Sequence, residues 1–416
     1  MAIEDDVLVV GGGVAGMTAA LAAAEAGASV RLVTKKQSTL RQASGLADCL
    51  GYVDGDLVAE PFDAVERLPD DHPYSLVGVD GVRDGFARFD DVTGDLYRGE
   101  HTARNALVPT HGGTVKPTAR YPASAAAGLA SDDRDVLLVG FETLTDFDAP
   151  LAADHLAAAG VPFDVRGATV AFPGDPRADA KVTRYANALD ADTDGERSRL
   201  AGRVARVHEG EARVGFPAVL GQDRPGDVRA TLAAELGADV FEVPMGPPSL
   251  PGIRLEYAYR EALEDAGVHV VRNPVVDYET DGDGRLTAAV VDRNGRRIPH
   301  YADSFVLATG GLVGKGLDSD RGGVEEPVFG CHVPHPADRY DWFVDDVYGD
   351  QPYPRFGVAV DDDLRPLDAT GSIEFENLRA AGSIVGGYDF AAECSGTGVS
   401  LATGDAAGRA AGADNR

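Results

Sequence analysis

The chain has 416 residues, too many for one small core and enough for about two domains of roughly 100–200 residues each. Apolar residues make up 44%, but in short, interrupted segments, and none approaches the roughly 18 consecutive apolar residues that a membrane span needs. The net charge of −30 is scattered along the chain (Asp5-Asp6, Asp70-Asp71, Asp132-Asp133, Asp361-Asp362-Asp363), and it excludes nucleic acid, whose backbone such a surface repels.

Only five of the 38 cationic residues are lysine. A dispersed, Asp-rich, lysine-poor surface suits a cytoplasm of very high salt. Cys49, Cys331 and Cys394 are far apart, with no Cys-x-x-Cys. That usage fits a reducing cytosol, and it excludes an iron–sulfur cluster held by this chain alone, which takes four thiolates at set spacing. Residues 1–6 lack the basic region and apolar stretch of a signal peptide. A cytoplasmic location is expected, with any membrane association coming through a partner.

In chain order, Val7–Val10 reads as a short apolar strand. Gly11-Gly12-Gly13-Val14-Ala15-Gly16 follows, then an Ala-rich helix to Ala26 ended by Gly27, and a second strand over Val30–Thr34. This is a βαβ unit of the dinucleotide-binding kind. A loop-rich region punctuated by Gly, Pro and Asp extends to about Arg134. Beyond it a strand is expected at Val136–Gly140, a helix at Ala149–Ala159, a second helix at about Asp227–Leu236 and a strand at Asp239–Val243. A helix over Arg254–Ala266 precedes strands at His269–Val271 and Leu286–Asp292, with turns at Asp281-Gly282-Asp283-Gly284 and Arg293-Asn294-Gly295. Ser304–Ala308 is a buried strand running into glycines, and Leu378–Ala411 alternates a short strand, Gly-rich loops and an Ala-rich helix.

These elements predict an α/β fold: an FAD/NAD(P)-binding, Rossmann-like domain of the two-dinucleotide-binding type, with an inserted α/β domain. The cofactor domain is expected to be discontinuous, from residues 1–60 plus 251–416, with 61–250 as an inserted substrate or cap domain.

Gly11, Gly13 and Gly16 match the dinucleotide fingerprint. The first permits the strand-to-helix turn, the second lets backbone approach a pyrophosphate, and the third lets helix and strand pack closely. The helix start then aims N–H groups and partial positive charge at the phosphate. One part is missing. The second strand of such a unit usually ends in Asp or Glu for the ribose hydroxyls, and here the position is Thr34, followed by Lys35 and Lys36. Three alternatives follow: an adenosine half bound unusually, a shorter mononucleotide with Lys35 facing its phosphate, or a solvated basic pair.

Three further segments belong to the same reading. Ser44 and Gly45, in Ser44-Gly45-Leu46-Ala47-Asp48, stand where flavoproteins of this fold bring backbone amides to the isoalloxazine. Ala308, Thr309, Gly310 and Gly311 form the Ala-Thr-Gly-Gly segment found in succinate dehydrogenase-like flavoproteins. Near the end, Gly382, Gly387 and Gly398 lie in a segment that closes over the flavin in this fold.

With those residues in place, the chain resembles the B subunits of the anaerobic, quinone-linked glycerol-3-phosphate dehydrogenases over nearly its full length. The likeness is carried by Val10–Gly16 with Val33–Ser38, by residues 139–152, by Pro247-Pro248-Ser249 with Gly252-Ile253-Arg254-Leu255, and by Glu326-Pro327 with Gly330. It is strongest from Phe356-Gly357-Val358 through Arg365-Pro366 and Asn377-Leu378 to Gly382–Gly387. The resemblance implies oxidation of glycerol 3-phosphate to dihydroxyacetone phosphate in anaerobic respiration, with FMN held by this chain. It also implies two partners: a larger, FAD-containing one, and an iron–sulfur one that docks on the membrane and reduces quinone. The dinucleotide fingerprint keeps FAD open as the alternative flavin.

Moving hydride from a secondary alcohol to a flavin needs a base for the hydroxyl proton and cations for the substrate phosphate. His111, followed by Lys116 and Arg120, offers both in one loop; the competing reading is a surface histidine with two solvated cations. Arg254 and Arg355 are alternative anion binders or structural ion-pair partners. His332 and His335 lack a third ligand, so no metal is expected. Trp342, Tyr340 and Phe343 read as core or subunit-interface aromatics. Two other functions stay in view: a free-standing succinate dehydrogenase- or fumarate reductase-like flavoenzyme, and a non-catalytic assembly protein. Intact glycines at 11, 13, 16, 310 and 311 argue against the second, because a relic has no need of close backbone approach.

Overall fold

Residues 3–36, 38–174, 176–177 and 180–414 are described by the structure, a computed structural model. They divide into two units, one built from Met1–Thr39, Asp48–Val92 and Ala258–Arg416, the other from Leu40–Ala47 and Thr93–Tyr257.

The first unit is organised around β1 (Ile3–Val10), the helix α1 (Val14–Glu25) and β2 (Val30–Thr34). β1 pairs parallel with β2 on one side and with the long strand Arg296–Leu307 on the other; His269–Arg272 extends the layer beyond β2. Leu378–Ala380 pairs parallel with the end of Arg296–Leu307, whose beginning carries the antiparallel strands Leu286–Arg293 and Val275–Thr280. Val7–Val10 and residues 304–307 are wholly apolar or small because a parallel layer is covered on both faces. The helix Gly396–Ala413 lies against α1 at glycine contacts: a Cβ on Gly408 would sit 2.2 Å from the Ala19 carbonyl oxygen.

The second unit has a four-stranded parallel sheet in the order Val165–Val170, Val136–Phe141, Arg213–Pro217, Asp239–Val243. Its core includes Leu138, Phe141, Leu156, Tyr185, Phe216 and Phe241. Arg213 is fully buried, its guanidinium donating to the carbonyls of Ala127, Leu129, Asp132 and Arg134, so one side chain pins the loop before the strand Val136–Phe141.

The structure redraws the boundaries expected at 60/61 and 250/251. Residues 61–92 belong with the glycine motifs, because the helix Pro73–Thr93, interrupted at Gly78 (φ +70°), is held there. A Cβ on Gly85 would lie 2.7 Å from the Ala402 nitrogen, and Arg88 ion-pairs with Asp405 and with Glu25 (2.6 Å). Conversely, residues 40–47 and 251–257 belong to the second unit. Sequence patterning leaves 73–93 as loop because Gly78, Gly81, Gly85 and six aspartates or arginines blur its period; packing against the C-terminal helix overrides that propensity. The helices Val182–Ala191 and Glu196–Val204 escape sequence reading as well: each is short, and the second is rich in charge.

Candidate functional site

The C-terminal ends of the parallel strands in the first unit converge. The Gly11 N–H donates to Val33 O (2.8 Å), Ala308 N–H to Val10 O (2.8 Å) and Ala381 N–H to Leu307 O (2.9 Å). In an open α/β sheet a ligand binds at such carboxyl ends, where strand order reverses. A cleft of about 510 Å³ opens there. Gly11–Ala15 form one wall with the start of α1, Val33–Lys36 a second, and Ala308–Gly310 with Gly314–Gly316 a third.

The fingerprint glycines divide by geometry. Gly11 has φ +126°, and a Cβ there would stand 2.0 Å from the Ala308 carbonyl oxygen. One on Gly16 would stand 1.9 Å from the Gly11 oxygen. Both are places where elements touch. At Gly13 an added Cβ would meet only Thr39 Oγ1, at 3.9 Å, so this residue borders open space in the cleft. Gly13 is the N-cap of α1 and no side chain caps the helix, which leaves its first N–H groups directed at the cleft with the positive end of the dipole.

Lys35, Lys36 and Lys315 all line the cleft, three of the five lysines in the chain, together with one acid, Asp318. Lys315 holds φ +63°, a left-handed conformation uncommon for a side-chain-bearing residue. The Thr34 hydroxyl, at the expected ribose position, donates to Lys36 O (2.9 Å) and shapes the turn that presents the lysine pair. Thr309 Oγ1 is buried with no hydrogen-bond partner, and Thr309 is part of the wall. An unmatched buried hydroxyl is costly, and in a binding cleft it marks a position for a ligand atom. The cleft therefore fits a flavin: open space at Gly13, uncapped amides, cations for phosphate, and an orphaned hydroxyl.

Several neighbours were missed by sequence reasoning. Ser383 lines the cleft and its Oγ accepts the Gly311 N–H (3.1 Å), while Ser400 and Asn273 lie on the wall. Pro327 and Val328 are held there by Glu326, whose buried carboxylate accepts the N–H groups of Val328 (2.7 Å) and Phe329 (2.8 Å). Burial nevertheless pushes the Glu326 pKa up, against those bonds. The Glu-Pro pair was visible as a likeness; only the folded chain brings it to the strand ends.

Other expected site residues have different surroundings. Gly382 (φ +76°) adjoins the cleft through Ala381 and Ser383, its N–H donating to Thr403 Oγ1 (2.8 Å). Gly311 sits where a Cβ would stand 2.5 Å from the Ser383 carbonyl oxygen. Gly387 faces Asp71 O, and a Cβ on Gly398 would stand 2.1 Å from the Tyr74 hydroxyl, so both are close-approach positions off the cleft wall. Ser44 and Gly45 belong to the second unit, where Gly45 (φ +84°) abuts Pro251 and its carbonyl accepts from the Tyr97 hydroxyl (2.7 Å).

The second unit also holds all four residues expected to do the chemistry. His111 lies in the turn of the hairpin Ala106–Pro109/Val115–Thr118, its backbone N–H donating to Pro244 O (3.1 Å), and Lys116 lies on the returning strand. Arg120 is buried and donates to Ala119 O (3.1 Å). Arg254 is not available as an anion binder. It donates to Glu242 at 2.6 and 3.1 Å and to Gly221 O, all out of solvent. Burial opposes the charge on Glu242, but Arg254 together with hydrogen bonds such as that from the Leu220 N–H (2.7 Å) outweighs it and holds the carboxyl below its usual range. Arg355 pairs with Asp350 (2.6 Å). Both ring nitrogens of His335 are engaged, by Val333 O and by the Val324 N–H, and no group of three or more metal-ligating side chains occurs among the described residues.

A Thr309→Val change tests the orphaned hydroxyl. We expect the flavin-free protein to gain about 1 kcal/mol, since a desolvation penalty disappears, and flavin affinity to fall about tenfold. Thermal unfolding and a flavin titration read the two effects; unchanged affinity would detach this hydroxyl from the ligand.

The fold and the cleft define a flavin-binding oxidoreductase. The FAD binding domain family matches residues 6–399. A probable anaerobic glycerol-3-phosphate dehydrogenase B subunit of Halobacterium salinarum is 63% identical, over 99% of this chain and 98% of that protein. An anaerobic glycerol-3-phosphate dehydrogenase B subunit of Vibrio cholerae is 32% identical over 96% of this chain and 94% of its own length. The chain belongs to this family, the B subunits of anaerobic glycerol-3-phosphate dehydrogenase. Its acidic, lysine-poor composition agrees with the halophilic relative. The family name makes it one component of a multi-subunit complex. No helix among the described residues is long and apolar enough to cross a membrane.

Proposed function

We propose that this chain is the flavin-holding B subunit of a complex that oxidises sn-glycerol 3-phosphate to dihydroxyacetone phosphate. A larger, FAD-containing partner and an iron–sulfur partner would stand beside it and pass electrons to quinone. The iron–sulfur partner would dock this cytoplasmic chain to the membrane face. The observation that carries the reading is the cleft at the strand ends, with uncapped α1 amides and three lysines in an otherwise acidic chain.

A flavin bound there would supply a hydride acceptor for the alcohol carbon. The chain's own part is to bind and orient. The amides at the start of α1, with Lys35, Lys36 and Lys315, would take the phosphate end; Thr309 and Ser383 would supply hydroxyl contacts along the wall. His111 and Lys116 stay the candidate base and cation, while Arg120 and Arg254 are committed to structural partners.

FAD is the flavin we favour, because the fingerprint is the dinucleotide form and the matched family is an FAD binding domain. A second reading, FMN, is favoured by one feature: Thr34-Lys35-Lys36 stands where an acid would hold the adenosine ribose. The mass of the cofactor released by denaturation decides between them. Adding glycerol 3-phosphate to the flavin-loaded complex under anaerobic conditions should bleach its visible absorption. A complex that stays oxidised with glycerol 3-phosphate yet is reduced by a dicarboxylate or another alcohol would overturn the substrate.

A further inference from the structure

The second unit holds an arginine to which the fold has given no acid. Arg229 lies in the helix Pro225–Leu236, and its Nε is buried without a hydrogen-bond partner. No hydrogen bond or ion pair to its guanidinium occurs among the described residues. Its neighbours are treated differently. Arg254 has the Glu242 carboxylate at 2.6 Å. Arg98 donates to Tyr97 O (2.7 Å) and Asp95 O (3.1 Å), with the Asp95 carboxylate 3.6 Å away. Even the amides before the helix are filled, because the Asp190 carboxylate accepts the N–H groups of Gln222 (2.7 Å), Asp223 (2.9 Å) and Arg224 (3.1 Å). The unmet group is the guanidinium itself, in a chain with 68 acidic residues to 38 cationic ones.

The surroundings of Arg229 are positive. Burial pushes its pKa down; Glu242, already bonded to Arg254, pulls it up, while Arg254 and Arg98 push it down further. A buried N–H with no acceptor carries the full cost of its lost hydration. The residue is half-buried rather than sealed, so an acceptor can come from solvent. Its place is where open parallel sheets take ligands, at the carboxyl ends of the strands. Glu242 is the last residue but one of the strand Asp239–Val243, and His111 donates its backbone N–H to Pro244 O just beyond it.

Chemistry selects the ligand. A guanidinium presents its donors as a fixed fork that matches an oxyanion, and it stays charged where an ammonium would not. A phosphomonoester brings nearly two negative charges and three acceptor oxygens, enough to meet the fork and still draw on the fields of Arg254 and Arg98. At molar salt, charges more than about 3 Å apart are screened, so a substrate anion has to be held by direct hydrogen bonds. We propose that Arg229 is the anion-binding residue of the second unit and holds the phosphate of a phosphomonoester substrate, at the strand end that carries His111. This rests on, and deepens, the reading of the chain as a component that oxidises glycerol 3-phosphate.

The test titrates inorganic phosphate into the full, flavin-loaded chain at constant high KCl, with thermal unfolding as the readout. Saturating phosphate should raise the wild-type midpoint by about 2–4 °C. Arg229→Met should lose that shift and, without phosphate, melt no lower than wild type, because an unpaired buried cation has gone. Arg229→Lys keeps the charge without the fork and should bind phosphate at least tenfold more weakly. In the assembled complex, Arg229→Met should raise KM for glycerol 3-phosphate at least tenfold and change kcat far less. A phosphate shift that survives in Arg229→Met puts the anion on the lysines of the flavin cleft and overturns the site. So does succinate stabilising the wild type as well as phosphate does, or Arg229→Met melting several degrees lower, as a structural ion-pair arginine would. An unchanged KM beside a lost phosphate shift overturns the role with substrate. A complex inactive on glycerol 3-phosphate, whose phosphate shift still depends on Arg229, overturns the functional reading and leaves the anion site standing.

Discussion

Gly13→Val should yield a folded chain that no longer holds flavin. The Cβ position at Gly13 has no neighbour nearer than Thr39 Oγ1 at 3.9 Å, so the valine fits the protein, and its branches fill the space beside the uncapped amides of α1. The expected loss of flavin affinity is at least a hundredfold, about 3 kcal/mol, with the thermal midpoint of the flavin-free protein little changed. Gly16→Val should instead damage the fold itself. Its Cβ would stand 1.9 Å from a backbone oxygen, and neither α1 nor the strand end can retreat without losing the packing that joins them. Overpacking of that kind costs about 3 kcal/mol or more and should appear as insoluble or early-melting protein. Absorbance of bound flavin and a melting curve on each variant separate the two outcomes. Full flavin retention in Gly13→Val would place the cofactor elsewhere.

The second large effect concerns Arg254 and Glu242. Removing either partner strands a buried charge, so Arg254→Met or Glu242→Gln should cost about 3–5 kcal/mol, and Arg254→Met with Glu242→Leu should recover most of it. If Arg254 instead bound substrate phosphate, its replacement would raise KM and leave stability alone. The pH dependence has a definite sign. Glu242 titrates below its ordinary value of 4.5 in the folded chain, so its contribution is fully present above that value and is lost as pH falls through the folded pKa. Unfolding free energies at constant high salt, followed down from pH 7, should fall more steeply in wild type than in the Arg254→Met, Glu242→Leu double variant. Equal slopes would remove the pair from the acid response.

Some of this molecule was legible residue by residue, because local chemistry alone decides it. A glycine that must sit at φ +126° between a strand and a helix, as at Gly11, announces a turn of one kind. The same holds for Gly27 ending α1 and for the βαβ unit from Ile3 to Thr34, where an apolar run, a glycine cluster and an alanine-rich helix agree at every level. Composition likewise determined the lysine-poor acidic surface and the absence of cluster-forming cysteines on this chain.

Tertiary structure alone decided which of these features meet. Lys315 lies some 280 residues from Lys35, and only the parallel pairing of β1 with Arg296–Leu307 brings their loops to one cleft. Thr309 reads as part of a glycine motif, yet its orphaned hydroxyl exists only once the wall closes around it. Arg254 and Glu242 are twelve residues apart in sequence, and nothing local distinguishes an arginine that binds substrate from one that neutralises a buried carboxylate. The division between the units also rests on packing. The helix Pro73–Thr93 is too glycine-rich to declare itself, and it takes its place because Gly85 lets it approach the C-terminal helix and Arg88 ties it there. Periodicity and turn chemistry are properties of neighbours along the chain; burial, pairing and the matching of charge belong to neighbours in space, and only the fold assigns those.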